Sequence, residues 1–271
     1  MRKGLLGLGV VLALSVLAGC QPQQEEWQLV WEENFDQAEH FDEASWSKIP
    51  RGRSDWNNYM SDFDSCYAMR DGNLVLRGLV NYSLPVDTAP FITGGVYTKG
   101  KVGFSDGRLD IRAKLYGATG AWLAFWLLPE NEGWPNGGEI DIMEHVGKTP
   151  GQVTHALHTQ NANGNNGRNW NASTALAEAE GSWNTYGLLW EQESDDEYGC
   201  ISFYVNGERS AWKYQPRNAD MAEWPFDNYF YVILNLAIGG TMGGQVDDAI
   251  FDDEVIMKVD YVRMWTPNTA S

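Results

Sequence analysis

The chain has 271 residues, of which 37 are Asp or Glu and 19 are Lys or Arg, for a formal net charge of −18 at pH 7. Such a surface repels nucleic acid and anionic membranes, and it argues against a sulfated polymer as partner. Thirteen Trp and twelve Tyr are more than packing demands, and exposed indoles make good platforms for sugar rings. At the N-terminus, Arg2 and Lys3 precede an apolar run from Gly4 to Gly19. That run is too short and too cleanly bounded for a spanning helix, so residues 1–19 read as a cleaved signal peptide.

The leader ends in Leu17-Ala18-Gly19-Cys20, which resembles the lipobox of bacterial lipoproteins. The resemblance implies that Cys20 is lipidated and that residues 20–26 form a short polar tether. Gln21 stands where inner-membrane retention uses Asp, so the expected location is the outer membrane of the cell envelope. The acidic end of the tether resembles the surface-export signals of Bacteroidetes lipoproteins. The lipid is then the membrane contact, and residues 27–271 form one domain, expected to be a monomer, with no internal repeat and no second compositional zone. Cys66 and Cys200 remain after processing, and the sequence leaves their pairing open.

Helical periodicity is nearly absent, and the best candidate, Ala172–Glu180, is short and reads as a helix or only a turn or loop helix. Runs rich in β-branched and aromatic residues predict strands over Asn73–Arg77, Gly107–Leu115, Ala121–Leu128, Glu139–Glu144 and Gln152–His158. Further strands are expected over Thr185–Trp190, Ile201–Val205, Tyr229–Leu236 and Val255–Trp265. Asp71-Gly72, Ser105-Asp106-Gly107, Pro135–Gly138 and Asn206-Gly207 supply turns between them. Many short strands at this spacing predict an all-β fold, a β-sandwich of two antiparallel sheets of jelly-roll type. Within Ala121–Leu128, Trp122, Ala124 and Trp126 share one face, and Leu123, Phe125 and Leu127 share the other.

Glu139-Ile140-Asp141-Ile142-Met143-Glu144 sets three carboxylates in an apolar strand. Alternation gives Glu139 and Asp141 one face and the isoleucines the other. It would send Glu144 to the apolar side, where a charge is costly. A bulge with Met143 as the extra residue returns it to the acidic face. Two carboxylates on one face suit glycoside hydrolysis, one attacking and the other kept protonated by its neighbours to serve the leaving oxygen. The spacing suits the retaining geometry, with carboxyls about 5–5.5 Å apart. A metal cage would recruit more than the adjacent His145, and a solvated edge would not alternate with Ile and Met.

This hexapeptide matches the E-x-D-x-x-E signature of glycoside hydrolase family 16. It resembles the laminarinase-like, agarase and carrageenase branches, which carry the extra residue, rather than the lichenase branch, which lacks it. Trp31–Phe35, Thr93–Gly100, Gly107–Leu115, Gly120–Trp126, Trp134-Pro135, Phe203–Gly207 and Val259–Arg263 extend the resemblance over nearly the whole mature chain. It implies a jelly roll with a concave substrate cleft and a retaining endo-hydrolase. Glu139 would be the nucleophile, Glu144 the acid/base and Asp141 the helper that tunes the nucleophile. Trp122, Trp126 and Trp134 would line the cleft. Asn58, Arg108 and His158 would contact sugar hydroxyls, with Arg108 or Arg112 alternatively a surface strand charge. No cofactor is implied for the chemistry. A structural calcium ion would sit at Asp260, with Gly72 and Glu33 as partners through backbone or side chain, although Asn34 stands where many relatives carry Glu. The expected substrate is a neutral β-1,3-glucan or mixed-linkage β-1,3/1,4-glucan. The alternatives are an agarase- or porphyranase-type galactanase of the same family, a transglycosylase, and a non-catalytic glycan-binding surface lipoprotein. The intact acid set speaks against the last.

Overall fold

The computed structural model describes residues 27–37, 39–82, 87–194, 197–246, 248–251 and 255–268. The leader, Cys20 and the tether of residues 20–26 lie outside the described residues. Strands β1 (Trp27–Glu33), β2 (Ser47–Lys48), β3 (Tyr67–Arg70), β4 (Asn73–Val80) and β5 (Phe91–Thr93) open the domain. β6 (Gly95–Tyr97), β7 (Gly103–Phe104), β8 (Gly107–Tyr116), β9 (Ala121–Pro129) and β10 (Glu139–Val146) follow. β11 (Gln152–His158), β12 (Trp170–Ala175), β13 (Trp183–Glu191) and β14 (Cys200–Val205) precede β15 (Glu208–Tyr214), β16 (Phe230–Ile238) and β17 (Ile256–Pro267).

A nine-stranded sheet runs β15-β14-β13-β8-β17-β4-β3, with β1 on β17 and β5 on β4. An eight-stranded sheet runs β12-β11-β10-β9-β16-β6-β2, with β7 on β16. The sandwich expected from the strand pattern is therefore present, and its ladders are antiparallel. Asp71-Gly72 and Asn206-Gly207 close the β3–β4 and β14–β15 hairpins with positive φ at both residues, the backbone that tight hairpins require.

The main core lies between the sheets and is filled from alternate positions: Leu109, Ile111, Ala113 and Leu115 of β8 face Leu123, Phe125 and Leu127 of β9. A smaller apolar cluster of Ile49, Met60, Ala124, Trp126, Tyr231 and Ile233 lies on the outer face of the eight-stranded sheet. The outer face of the nine-stranded sheet is different. There Arg108, Arg112, Lys114, Arg209, Lys258 and Arg263 lie over the rings of Trp265, Trp183, Tyr116, Trp212, Tyr116 and Tyr261, 4.0–5.6 Å from the centroids.

One expectation is corrected and one open point is settled. The helix at Ala172–Glu180 is instead edge strand β12 followed by turns, and its Asn-Ala-Ser-Thr-Ala run alternates in exposure against β11. Tertiary pairing overrides the weak helical preference of its alanines. Cys66 and Cys200 are buried and free.

Candidate active site

The β10 register decides which way the acids point. Against β9, Asp141 pairs with Trp126, Met143 with Phe125 and Glu144 with Ala124, which leaves Ile142 unpaired. Against β11, Asp141 pairs with Ala156 and Glu144 with Thr154, so Ile142 and Met143 together oppose His155. The bulge is therefore shared by two residues, with Ile142 rather than Met143 unmatched on the β9 side. Both side chains are fully buried in the main core. Since either apolar residue can take the extra position, sequence alone does not distinguish them. The result is the one anticipated: Glu139, Asp141 and Glu144 share the face of Trp126 and Trp122, outside the main core.

Asp141 is 3 % exposed, while Glu139 and Glu144 each keep an edge toward solvent. Glu139 and Asp141 hydrogen-bond to each other, and two carboxylates that close share a proton rather than both ionise. All three acids are pushed above the usual carboxylate range, chiefly by burial. The Asp141 charge adds to the effect at Glu139, and the Glu144 charge adds to it at Asp141. At Glu144 the nearby His158 and the indole N–H of Trp122, which donates to Oε1 at 3.1 Å, pull the other way.

His158 joins this cluster. Its Nδ1 accepts the N–H of Gly164 at 3.0 Å, so Nε2 carries the proton and lies 3.2 Å from Asp141 Oδ2. That approach is off-axis, and Oδ2 makes no hydrogen bond. Donor atoms of Glu139, Asp141 and His158 lie within 4.8 Å of one another, close enough to ligate a cation. The Gly164 bond, however, makes the imidazole present an N–H rather than a lone pair, which is the wrong polarity for a ligand. His145 faces the core, where its Nε2 lies 2.7 Å from Glu180 Oε1 and its Nδ1 2.9 Å from Gln152 O.

The aromatic residues divide. Trp134 is 40 % exposed, with its ring 6.2 Å from that of His158. Trp126 is only 6 % exposed: its N–H donates to Asn235 Oδ1 at 2.6 Å, and Trp56 packs edge-on against it at 4.8 Å. Its reading as an open platform is corrected to a buried support, with Trp56 set edge-on against it. Trp122 is half-buried, and its indole N–H donates to Glu144. Sequence reading missed Trp56, Asn235 and Gly164. Asn235 carried a signal, being a lone amide within the wholly buried run of β16.

Asn58 lies in the Trp56–Tyr59 turn, and its buried Oδ1 has no partner among the described residues. Arg108 is corrected outright. It sits on β8 of the other sheet, paired with Asp110 at 2.8 Å and laid over Trp265, as a surface strand charge.

The expected calcium set also fits poorly. The Asp260 carboxylate is bound by the Arg112 guanidinium. Glu33 Oε1 accepts the N–H of Phe35 at 2.8 Å, and Glu33 is buried. Gly72 lies against Asp36. The open pocket beside Asp260, about 590 Å³, is lined by Asn34, Asp36, Tyr261 and two arginines, Arg112 and Arg263. Two fixed guanidinium charges there oppose a bound cation.

The sequence profile of Glycosyl hydrolases family 16 matches residues 67–262. The chain is 34 % identical over 245 residues to a keratan-sulfate endo-1,4-beta-galactosidase of Sphingobacterium multivorum, covering 89 % of this chain but 55 % of that protein. It is 32 % identical over 276 residues to a beta-glucanase of Rhodothermus marinus, covering 98 % of this chain and 94 % of the other. Among solved structures, the laminarinase from Rhodothermus marinus superposes with a TM-score of 0.80 at 30 % identity, over 89 % of this chain and 98 % of that one.

Proposed function

The chain belongs to glycosyl hydrolase family 16, and on that premise we propose that it is a retaining endo-β-glucanase acting on β-1,3-glucan and mixed-linkage β-1,3/1,4-glucan. The observation that carries the reading is the β10 bulge, which brings Glu139, Asp141 and Glu144 to one face beside the Trp122 N–H. When the shared proton rests on Asp141, Glu139 is a free carboxylate and attacks the anomeric carbon. Glu144, held protonated by burial, gives its proton to the departing glycosidic oxygen. As a carboxylate it then takes a proton from the water that cleaves the glycosyl–Glu139 ester. No cofactor enters these steps.

Trp134, Trp56, Asn58 and the outer edge of Trp122 are the candidate sugar contacts. The similarity to the Rhodothermus beta-glucanase over nearly its full length supports a glucan substrate. The net charge of −18 favours a neutral polymer over a sulfated one. The galactosidase relative is the reason to test the alternative directly. Laminarin, barley β-glucan, lichenan, agarose and keratan sulfate should be compared, with products sized by chromatography. Laminarin or β-glucan should be cut internally, and proton NMR of fresh digests should show the β anomer first. Cleavage of keratan sulfate or agarose alone would overturn the substrate, and an initial α anomer would overturn the mechanism.

We further propose a monomeric, lipid-anchored enzyme on the outer face of the outer membrane, supported by the Leu17–Cys20 sequence and the Gln21 that follows. Cys20→Ala should release active enzyme from the envelope fraction. An unchanged fractionation would sink the anchor while leaving the chemistry intact.

A further inference from the structure

His155 is a buried histidine outside the acid cluster, and each of its ring nitrogens is engaged. Nδ1 lies 2.7 Å from the carbonyl of Ile142, and since a carbonyl can only accept, Nδ1 carries the proton. Nε2 faces two hydroxyls, Ser210 Oγ at 2.9 Å and Thr174 Oγ1 at 3.3 Å, either of which can donate to it. Burial keeps the imidazole below its usual pKa and so neutral. The ring stacks on Phe203 at 4.9 Å, and Phe203 in turn stacks on Trp170 at 5.6 Å. Satisfied core histidines of this kind usually need no further explanation.

What sets His155 apart is the identity of its acceptor. Ile142 is the residue that the bulge leaves without a register partner on β9 or β11, and Ile142 and Met143 together oppose His155 itself. The imidazole N–H thus supplies the hydrogen bond that an ordinary ladder would have given the bulged backbone. Ser210 belongs to β15 of the opposite sheet and Thr174 to β12, so the ring is braced from two other strands.

We infer that His155 is a positioning residue that pins the Ile142–Met143 bulge and thereby holds Glu144 on the face of Glu139. The inference rests on the proposed acid/base role of Glu144, and the test separates the two. Full-length His155→Phe, His155→Gln, His155→Asn and Glu144→Ala are compared on laminarin or barley β-glucan and on an aryl β-glucoside with a good leaving group, with and without azide. Phe keeps the ring but has no donor, and Gln reaches toward Ser210 rather than back to Ile142. The amide N–H of Asn falls where Nδ1 was.

With circular dichroism confirming folded protein, His155→Phe and His155→Gln should lose kcat on glucan by on the order of 10²-fold while KM moves little, the cost of a misplaced catalytic group. Both should lose less on the aryl glucoside. Azide should accelerate both: its nitrogen bonds to the anomeric carbon as the ester to Glu139 breaks, giving a β-glucosyl azide without help from Glu144. His155→Asn should stay within a few-fold of wild type. If Phe and Gln retain wild-type kcat, lose both substrates equally with no azide response, or are matched by an equally damaged Asn variant, His155 holds only the core and the inference fails. Azide rescue of Glu144→Ala without rescue of the His155 variants overturns the positioning role alone. No rescue of Glu144→Ala overturns the acid/base assignment beneath it.

Discussion

Trp122 acts on Glu144 through one hydrogen atom. Its indole N–H bonds Oε1 at 3.1 Å and favours the ionised carboxyl, against the burial that favours the neutral one. Trp122→Phe removes the donor and keeps most of the bulk, so Glu144 should hold its proton to higher pH. The alkaline limb of the kcat/KM profile should move upward, and an unmoved limb would mean that the indole does not govern the acid. Glu139 supports a stability prediction. Its folded pKa lies well above the ordinary glutamate value of 4.5 that the unfolded chain would show. The cost of its buried charge is therefore absent below the unfolded value and complete once the pH passes the folded one. Glu139→Gln should melt above wild type near neutral pH, lose that advantage near pH 4, and turn over no substrate; calorimetry at the two pH values checks the first part. The acids were legible because a two-residue period reveals any charge set among isoleucines. The fate of Trp126 was not, since Asn235, 109 positions away, supplies its acceptor.

At the scale of the strand, β10 places its chemistry by the number of residues between Glu139 and Glu144. Removing either Ile142 or Met143 leaves one residue opposite His155 and restores plain alternation, which still sets Glu144 on the face of Asp141; removing both turns Glu144 toward the core. The double deletion should cost as much activity as Glu144→Ala, roughly 10²–10⁴-fold for general acid–base catalysis, and each single deletion much less. Met143→Leu, which conserves volume, should cost under about 1.5 kcal/mol and keep turnover. Rate assays and denaturant melts of these variants check this, and an active double deletion would show that the strand can re-register. Most of the longer strands were legible from β-branched and aromatic runs, but β1 and β15, seven residues each, were not. The short ones, β2, β5, β6 and β7, have two or three residues each, too few to display a period, and they exist because a neighbouring strand pairs with them. β12 was misread for the same reason, its small polar residues becoming a strand only against β11.

For the whole domain, the Arg112–Asp260 pair occupies the place where a calcium ion was expected. A chelator should leave the melting temperature where it is, because no cation bound only to the folded state would be withdrawn. A fall of several degrees in a thermal-shift scan would mean that a cation does bind there and Arg112 swings aside. The cations laid over rings on the nine-stranded sheet bear on something apart from catalysis, the behaviour of the protein as a colloid. Their charged heads lie over Trp183, Tyr116 and Trp212, so a broad aromatic sheet face is presented to neighbouring molecules as a charged one. Replacing Arg112, Lys114 and Arg209 by serine would strip that cover, leaving bare rings beside the β15 edge strand. Light scattering should then show self-association growing with concentration, while each dissolved molecule still cleaves glucan at the wild-type rate.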